Sequence, residues 1–180
     1  IDEGVSLFYP DWTGDDWDPN NNKPDGWRAS SNGILDSSIK YEGRKSLKIV
    51  TSNSRGNSYQ DVPVKYNKEY RVSGYVKTDC VDNNCYGTIL SECADSSHQI
   101  IPANNCTLNI NPNNIIRLFG DNNWTYLEFD VENNNVNGKY MRLHCYNTPN
   151  NEEQTLPPGT GTVWCDSLNV IEIPRGDGGS

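Results

Sequence analysis

The 180-residue chain holds one methionine, two histidines and three phenylalanines, and no apolar run in it approaches the about 18 residues that a bilayer span requires. That last absence excludes a transmembrane helix. The scarcity of histidine leaves metal binding to the six cysteines. Their closest pair, Cys80 and Cys85, has no second close pair to match it, so the spacing does not describe a zinc site. Positive charge is also short. Fifteen Lys and Arg face 24 Asp and Glu, a net charge of −9, which disfavours nucleic acid and anionic membranes as partners. No Ser/His/Asp signature, no Gly-rich phosphate loop and no spaced carboxylate pair stands out, so nothing in the sequence argues for catalysis. Convincing helical periodicity is missing as well.

Turn-formers and aromatics are abundant instead. Mean hydropathy is −0.78, yet five Trp and ten Tyr supply enough buriable surface to exclude a disordered chain. Asparagine occurs 25 times, in runs such as Asn20-Asn21-Asn22 and Asn133-Asn134-Asn135. Because Asn tolerates left-handed backbone and is depleted in strands, these runs read as loops. Between them lie strand signals at 46–51, 69–78, 86–92, 124–131, 139–146 and 161–173, each alternating or rich in β-branched and aromatic residues. Turns are expected at Tyr66-Asn67-Lys68, Gly120-Asp121-Asn122, Asn137-Gly138 and Pro157-Pro158-Gly159. Short, evenly spaced strands imply an all-β protein, a two-sheet antiparallel sandwich or jelly roll.

One domain is expected over 1–173, with 174–180 as the start of a linker to further domains of a larger protein. The Arg-Gly-Asp in that tail reads as a chance tripeptide. The opening Ile-Asp-Glu-Gly-Val-Ser-Leu-Phe is not a signal peptide, so a secreted protein would be present here in trimmed form. An even set of six cysteines without zinc spacing implies disulfides, hence an oxidising, extracellular setting. Two glycosylation sequons, at Asn105 and Asn123, are compatible with secretion.

Parity fixes two faces. In Tyr140–Tyr146, Met141, Leu143 and Cys145 point one way, and in the last strand Val163 and Cys165 oppose Trp164. Both cysteines therefore face the core, and a Cys145–Cys165 disulfide is predicted. Closing a loop of about 20 residues, it would add roughly 3 kcal/mol by restricting the unfolded chain. Cys80, Cys85, Cys93 and Cys106 then pair among themselves, as 80–85 with 93–106 or crossed. The outward set carries Tyr140, Arg142, His144, Tyr146 and Trp164, and in the strand at 69–78 Ser73, Tyr75 and Lys77. Aromatic planes mixed with rigid polar forks suit a sugar, whose ring presents C–H faces and equatorial hydroxyls.

Four segments resemble carbohydrate-binding modules of families 4, 16 and 22, and in the same order. They are "YEGRKSLKIVT" (41–51), "VPVKYNKEYRVSGYVKTD" (62–79), "GDNNWTYLEFDV" (120–131) and "GTVWCDSLNVIEI" (161–173). The family's opening strand motif is absent, the four-cysteine segment 79–115 is an elaboration, and Ser167 stands where the closing motif has a second Asp. The resemblance implies a jelly-roll β-sandwich that binds polysaccharide without catalysis. The strand with Arg142, His144 and Tyr146 matches the family's binding strand, and Tyr59 lies about where these modules place a binding-site Trp. Trp27 and Arg28 match their early Gly-Trp segment, whereas Trp124 sits in a packing position. A structural calcium is common in these families, and Asp166 is the matching ligand position. The implied partners are a β-glucan, xylan or mannan chain and attached catalytic or scaffold domains, with the module itself a monomer. Two other functions compete. One is a jelly-roll polysaccharide lyase using Arg142, His144 and Tyr146; the other is an extracellular lectin or adhesion domain.

Overall fold

In the strand Glu69–Cys80 every second residue from Tyr70 to Cys80 is buried, which is the alternation of a strand with one face on a core. The same period recurs along the chain, and the described residues are built chiefly from strands. The computed structural model describes residues 28–29, 33–43, 45–52, 54–149 and 160–174. Within them run eleven strands. The first six are β1 (Arg28–Ala29), β2 (Gly33–Asp36), β3 (Ser46–Thr51), β4 (Gly56–Pro63), β5 (Glu69–Cys80) and β6 (Cys85–Ala94). The rest are β7 (Ile100–Ile101), β8 (Leu118–Phe119), β9 (Asp121–Glu132), β10 (Tyr140–Pro149) and β11 (Gly161–Ile173). Among the described residues the only helical pieces are three single 3-10 turns.

The strands form two antiparallel sheets. The first has the order β1-β4-β10-β6-β7, with β8 also on β6; the second has the order β2-β3-β11-β5-β9. This is the expected jelly-roll-like sandwich. Between the sheets lie Leu47, Ile49, Val62, Tyr70, Val72, Val76, Ile89, Met141, Leu143, Val163 and Val170, all essentially inaccessible. Each such aliphatic side chain contributes roughly 1.5–3 kcal/mol by leaving water. Packing is tight enough to need glycine at 87. A Cβ there would stand 2.6 Å from Thr78 and 2.9 Å from Val163 on the facing sheet.

The disulfides bind the layers together. Cys145 in β10 is bonded to Cys165 in β11, with Cα atoms 6.3 Å apart, as parity predicted. Of the two pairings left open for the other four, Cys80–Cys85 and Cys93–Cys106 form. The first joins β5 to β6 across the sandwich, and the second ties β6 to the loop before β8. Two of the expected turns have the expected backbone, Asn67 with φ 61° and Gly120 with φ 72°, and the one at Pro157-Pro158-Gly159 lies outside the described residues. The proposed linker from 175 onward lies outside the described residues.

Candidate functional site

The outer face of the first sheet is assembled by register. In β10, Arg142 pairs with Asp61 on β4 and Glu92 on β6, and His144 with Tyr59 and Leu90. Tyr146 pairs with Asn57 and Thr88. All point away from the core because Met141, Leu143 and Cys145 point into it. Two neighbouring strands, β4 and β10, thus bring Tyr59, Arg142, His144 and Tyr146 together, four of the eight residues expected to bind.

Arg142 and Asp61 form a two-pronged ion pair, Nε donating to Oδ1 at 2.7 Å and Nη2 to Oδ2 at 2.9 Å. Their side chains are only 14% and 9% exposed, so the pair is largely desolvated. The guanidinium lies over the Tyr59 ring, 4.3 Å from its centroid. Burial alone would raise the Asp61 carboxyl, but hydrogen bonds from Arg142 and His98 outweigh it and hold it below its ordinary range.

His144 is the buried member, 4% exposed beneath its neighbours although it points outward. Asn57 Nδ2 lies 3.0 Å from its Nδ1, and its Nε2 lies 2.6 Å from Glu92 Oε1. With a carboxylate at 2.6 Å, Nε2 is the nitrogen that donates, its N–H directed at Glu92. The His144 bond holds the Glu92 carboxyl below its ordinary range, although burial works against it. The Tyr59 and His144 rings are 5.4 Å apart, and those of His144 and Tyr146 4.9 Å, so the three make one continuous aromatic array. Burial raises the Tyr146 hydroxyl above its ordinary value, which leaves it protonated at neutral pH.

The stripe therefore needs a support that the sequence reading passed over: Asn57, Asp61 and Glu92. Parity on "NSYQD" and "ILSE" could have found them, since Asn57 and Asp61 alternate with Tyr59, and Glu92 with Leu90. His98 could not have been found that way, because it sits in a turn.

Of the remaining four expected residues, two are placed elsewhere. Trp164 and Tyr75 do not share this face. They lie in β11 and β5 and point out of the second sheet, on the opposite side of the molecule. Alternation says whether a residue points inward or outward, but a sandwich has two outsides. Trp164 is buried there, its indole donating to Asp36 Oδ2 at 3.0 Å, with the Lys77 ammonium 5.9 Å from its ring. Tyr75 is stacked on Tyr41, with ring centroids 3.6 Å apart, and Trp124 meets Tyr41 edge-on. Arg28 is paired with Tyr59 through β1, which sets its backbone beside the array. Trp27 lies outside the described residues.

Asp166 is inaccessible to solvent in β11. Its Oδ2 accepts the backbone N–H of Tyr41 (2.7 Å) and Glu42 (3.1 Å), and its Oδ1 that of Ser167 (2.7 Å). The Ser167 hydroxyl donates to the Glu42 carboxylate. Burial pushes the Asp166 carboxyl up to about 6 despite these bonds. Among the described residues no three His, Cys, Asp or Glu side chains converge as a metal site. The described surroundings of Asp166 alone do not make an oxygen cage for Ca²⁺.

By sequence, no family model and no curated protein matches the chain. By structure the likeness is extensive. The CBM22-1 xylan-binding domain of Paenibacillus barcinonensis Xyn10C superposes with a TM-score of 0.64 at 14% identity, covering 98% of this chain and 99% of that one. The C-terminal family 22 module of Clostridium thermocellum Xyn10B gives 0.61 at 13% identity over 96% and 97%. The chain has the fold of these carbohydrate-binding modules. TmCBM61, solved with β-1,4-galactotriose, superposes at 0.54 and 8% identity over 94% and 99%, so the likeness reaches beyond family 22. On this carbohydrate-binding-module fold, the outer face of the first sheet carries both the aromatic array and the desolvated ion pair.

Proposed function

We propose that this module is a non-catalytic, extracellular polysaccharide binder. Its site is the groove on the outer face of the first sheet, and a neutral chain of the β-glucan, xylan or mannan kind is its ligand. Binding there would hold an attached catalytic or scaffold domain on its substrate. The observation that carries the reading is the Tyr59–His144–Tyr146 array set beside the Asp61–Arg142 fork on one face. Tyr59 and Tyr146, braced by the buried His144, offer surfaces for the C–H faces of pyranose rings, and the fork and amides offer fixed partners for hydroxyls. Because these groups are already held by one another, little side-chain entropy remains to be lost on binding.

Charge supports a neutral ligand. Arg142 is matched by Asp61, and Glu92 adds a negative charge beside it, so Arg142 is not free to pair with a uronate. The same fact weighs against the lyase reading, which needs a free cation to neutralise the substrate carboxylate and a poised base. The xylan-binding and galactotriose-binding neighbours and the three disulfides support a polysaccharide ligand and an oxidising location.

Affinity electrophoresis through gels containing soluble xylan, mixed-linkage β-glucan, glucomannan, alginate and pectate tests the proposal. Retardation is expected in at least one neutral gel and in neither acidic gel. Unretarded migration through all five would sink it.

A further inference from the structure

The hairpin between β6 and β7 packs on the Tyr140 and Arg142 end of this face. Its turn is organised by Asp95, whose Oδ1 accepts the N–H groups of Ser97 (2.8 Å) and Gln99 (3.0 Å). The Asp95 carbonyl accepts His98 N at 2.9 Å, and Asp95 N donates to Gln99 O at 2.9 Å. The last turn residue, His98, adopts φ 62°, the left-handed region that turns of this kind normally fill with Gly or Asn. A histidine there is conformationally costly, and the cost has to be offset by something its side chain does.

Two contacts hold that side chain and a third holds its backbone. Its ring stacks on Tyr140, with centroids 4.2 Å apart and planes inclined by 19°. Its Nδ1 lies 2.6 Å from Asp61 Oδ2, and its backbone carbonyl accepts Arg142 Nη2 at 3.1 Å. Since Asp61 is an acceptor, Nδ1 carries the proton, and Nε2 is the ring nitrogen left to meet a hydroxyl. The ring remains 44% exposed. Beside it a depression of about 620 Å³ is lined by Tyr59, Ser97, His98, Gln99, Ile100 and Arg142, a size that admits a sugar unit. Two of those residues belong to the groove already described, and four belong to the hairpin.

We infer that the hairpin tip forms an end subsite for one neutral pyranose unit of the bound chain, with His98 Nε2 as its hydrogen-bonding group and Tyr59 and Ile100 as its walls. This rests on the saccharide reading of the face and extends it beyond the strands, to a loop that decides how the chain lies at one end. The left-handed backbone offsets part of the cost of removing the ring from Asp61 and Tyr140. A glycine relieves the turn and leaves the Asp95 hydrogen bonds in place, yet it removes the imidazole.

The test is calorimetric titration of the wild type and of His98→Gly with xylohexaose, cellohexaose and mannohexaose, together with thermal melts. For a hexaose that the wild type binds, His98→Gly is expected to bind about tenfold more weakly while melting within a few degrees of the wild type. His98→Asn, which also tolerates left-handed backbone, should behave as the glycine variant does. In the wild type, the His98 ring ¹³C and ¹⁵N resonances should shift on adding that hexaose; these signals decide the matter alone if neither variant folds. Equal affinity of the folded variants, or unmoved ring signals, would overturn the subsite while leaving the saccharide reading intact. Failure of the wild type to bind any of the three hexaoses, with no retardation by soluble polysaccharide, overturns both.

Discussion

The two outer faces of this sandwich carry the same device in different surroundings. On the first sheet Arg142 grips Asp61 through two hydrogen bonds of 2.7 and 2.9 Å; on the second, Arg71 grips Asp130 through two of 2.9 and 3.0 Å. The geometry is nearly identical, and the burial is not. The first pair is 14% and 9% exposed, the second 39% and 38%. In water an ion pair is screened and its net worth is small. Under Tyr59 and the His98 hairpin, the first pair has lost that solvent, and each partner depends on the other. The aromatics differ in a parallel way. On the first face the rings form a line with the ion pair set into it, whereas on the second Tyr41 covers Tyr75 and Trp164 is sealed by Asp36. Similar residue types therefore make an interlocked, largely desolvated cluster on one side and surface packing on the other.

The largest expected effect comes from breaking both forks. Arg142→Ala strands the Asp61 carboxylate in a half-dry setting and should destabilise the fold by about 3 kcal/mol in urea unfolding. Arg71→Ala should leave the unfolding midpoint within error of the wild type. Equal losses in the two variants would mean that burial does not separate the faces.

Next in size is a pH effect that sets the faces against each other. Asp61 and Glu92 have lowered pKa values in the folded protein. Their contribution is present above the ordinary carboxylate range and is lost as pH falls through their folded values. Asp166, beneath the second face, has its pKa raised from 3.8 to about 6, so its contribution has the opposite sign. It is complete below pH 3.8 and lost as pH rises through about 6. An Asp166→Asn variant should therefore lose this term, and the stability gap between it and the wild type should change by at most about 3 kcal/mol between pH 4 and pH 7. Urea unfolding at the two pH values reads that gap; a constant gap would show that Asp166 titrates normally.

The smallest effect in energy discriminates best for function. Tyr146→Ala should weaken polysaccharide binding about tenfold, near 1.4 kcal/mol. Tyr126→Ala, on the second face and 50% exposed, should leave it unchanged. Affinity electrophoresis of both variants reads this directly. A matching loss in Tyr126→Ala would make the second face a binding surface too.

Much of this was legible from residue order. The alternation in "KYMRLHCY" placed Met141, Leu143 and Cys145 inward, and the same parity in "TVWCD" sent Cys165 to meet Cys145. Asn67 and Gly120 announced their turns. What was not legible was the company each outward residue keeps. Trp164 and Tyr75 carried the same outward parity as Tyr146, yet they emerged on the other sheet. Glu92 and Asp61 lie roughly 50 and 80 residues before the side chains they hold, too far for any local pattern to connect them.

The sequence alone thus determined six of the eleven strands, though not β4 with Tyr59 and Asp61, together with the turns at Asn67 and Gly120 and the disulfide between the sheets, because each of these follows from a period of two or from the backbone preference of single residues. Which outward residues share a face, and which of them leave water, was decided only by the tertiary structure. Strand order in a sandwich is set by pairings distant in sequence, and burial of the Arg142–Asp61 pair depends on what β4, β6 and the His98 hairpin bring over it.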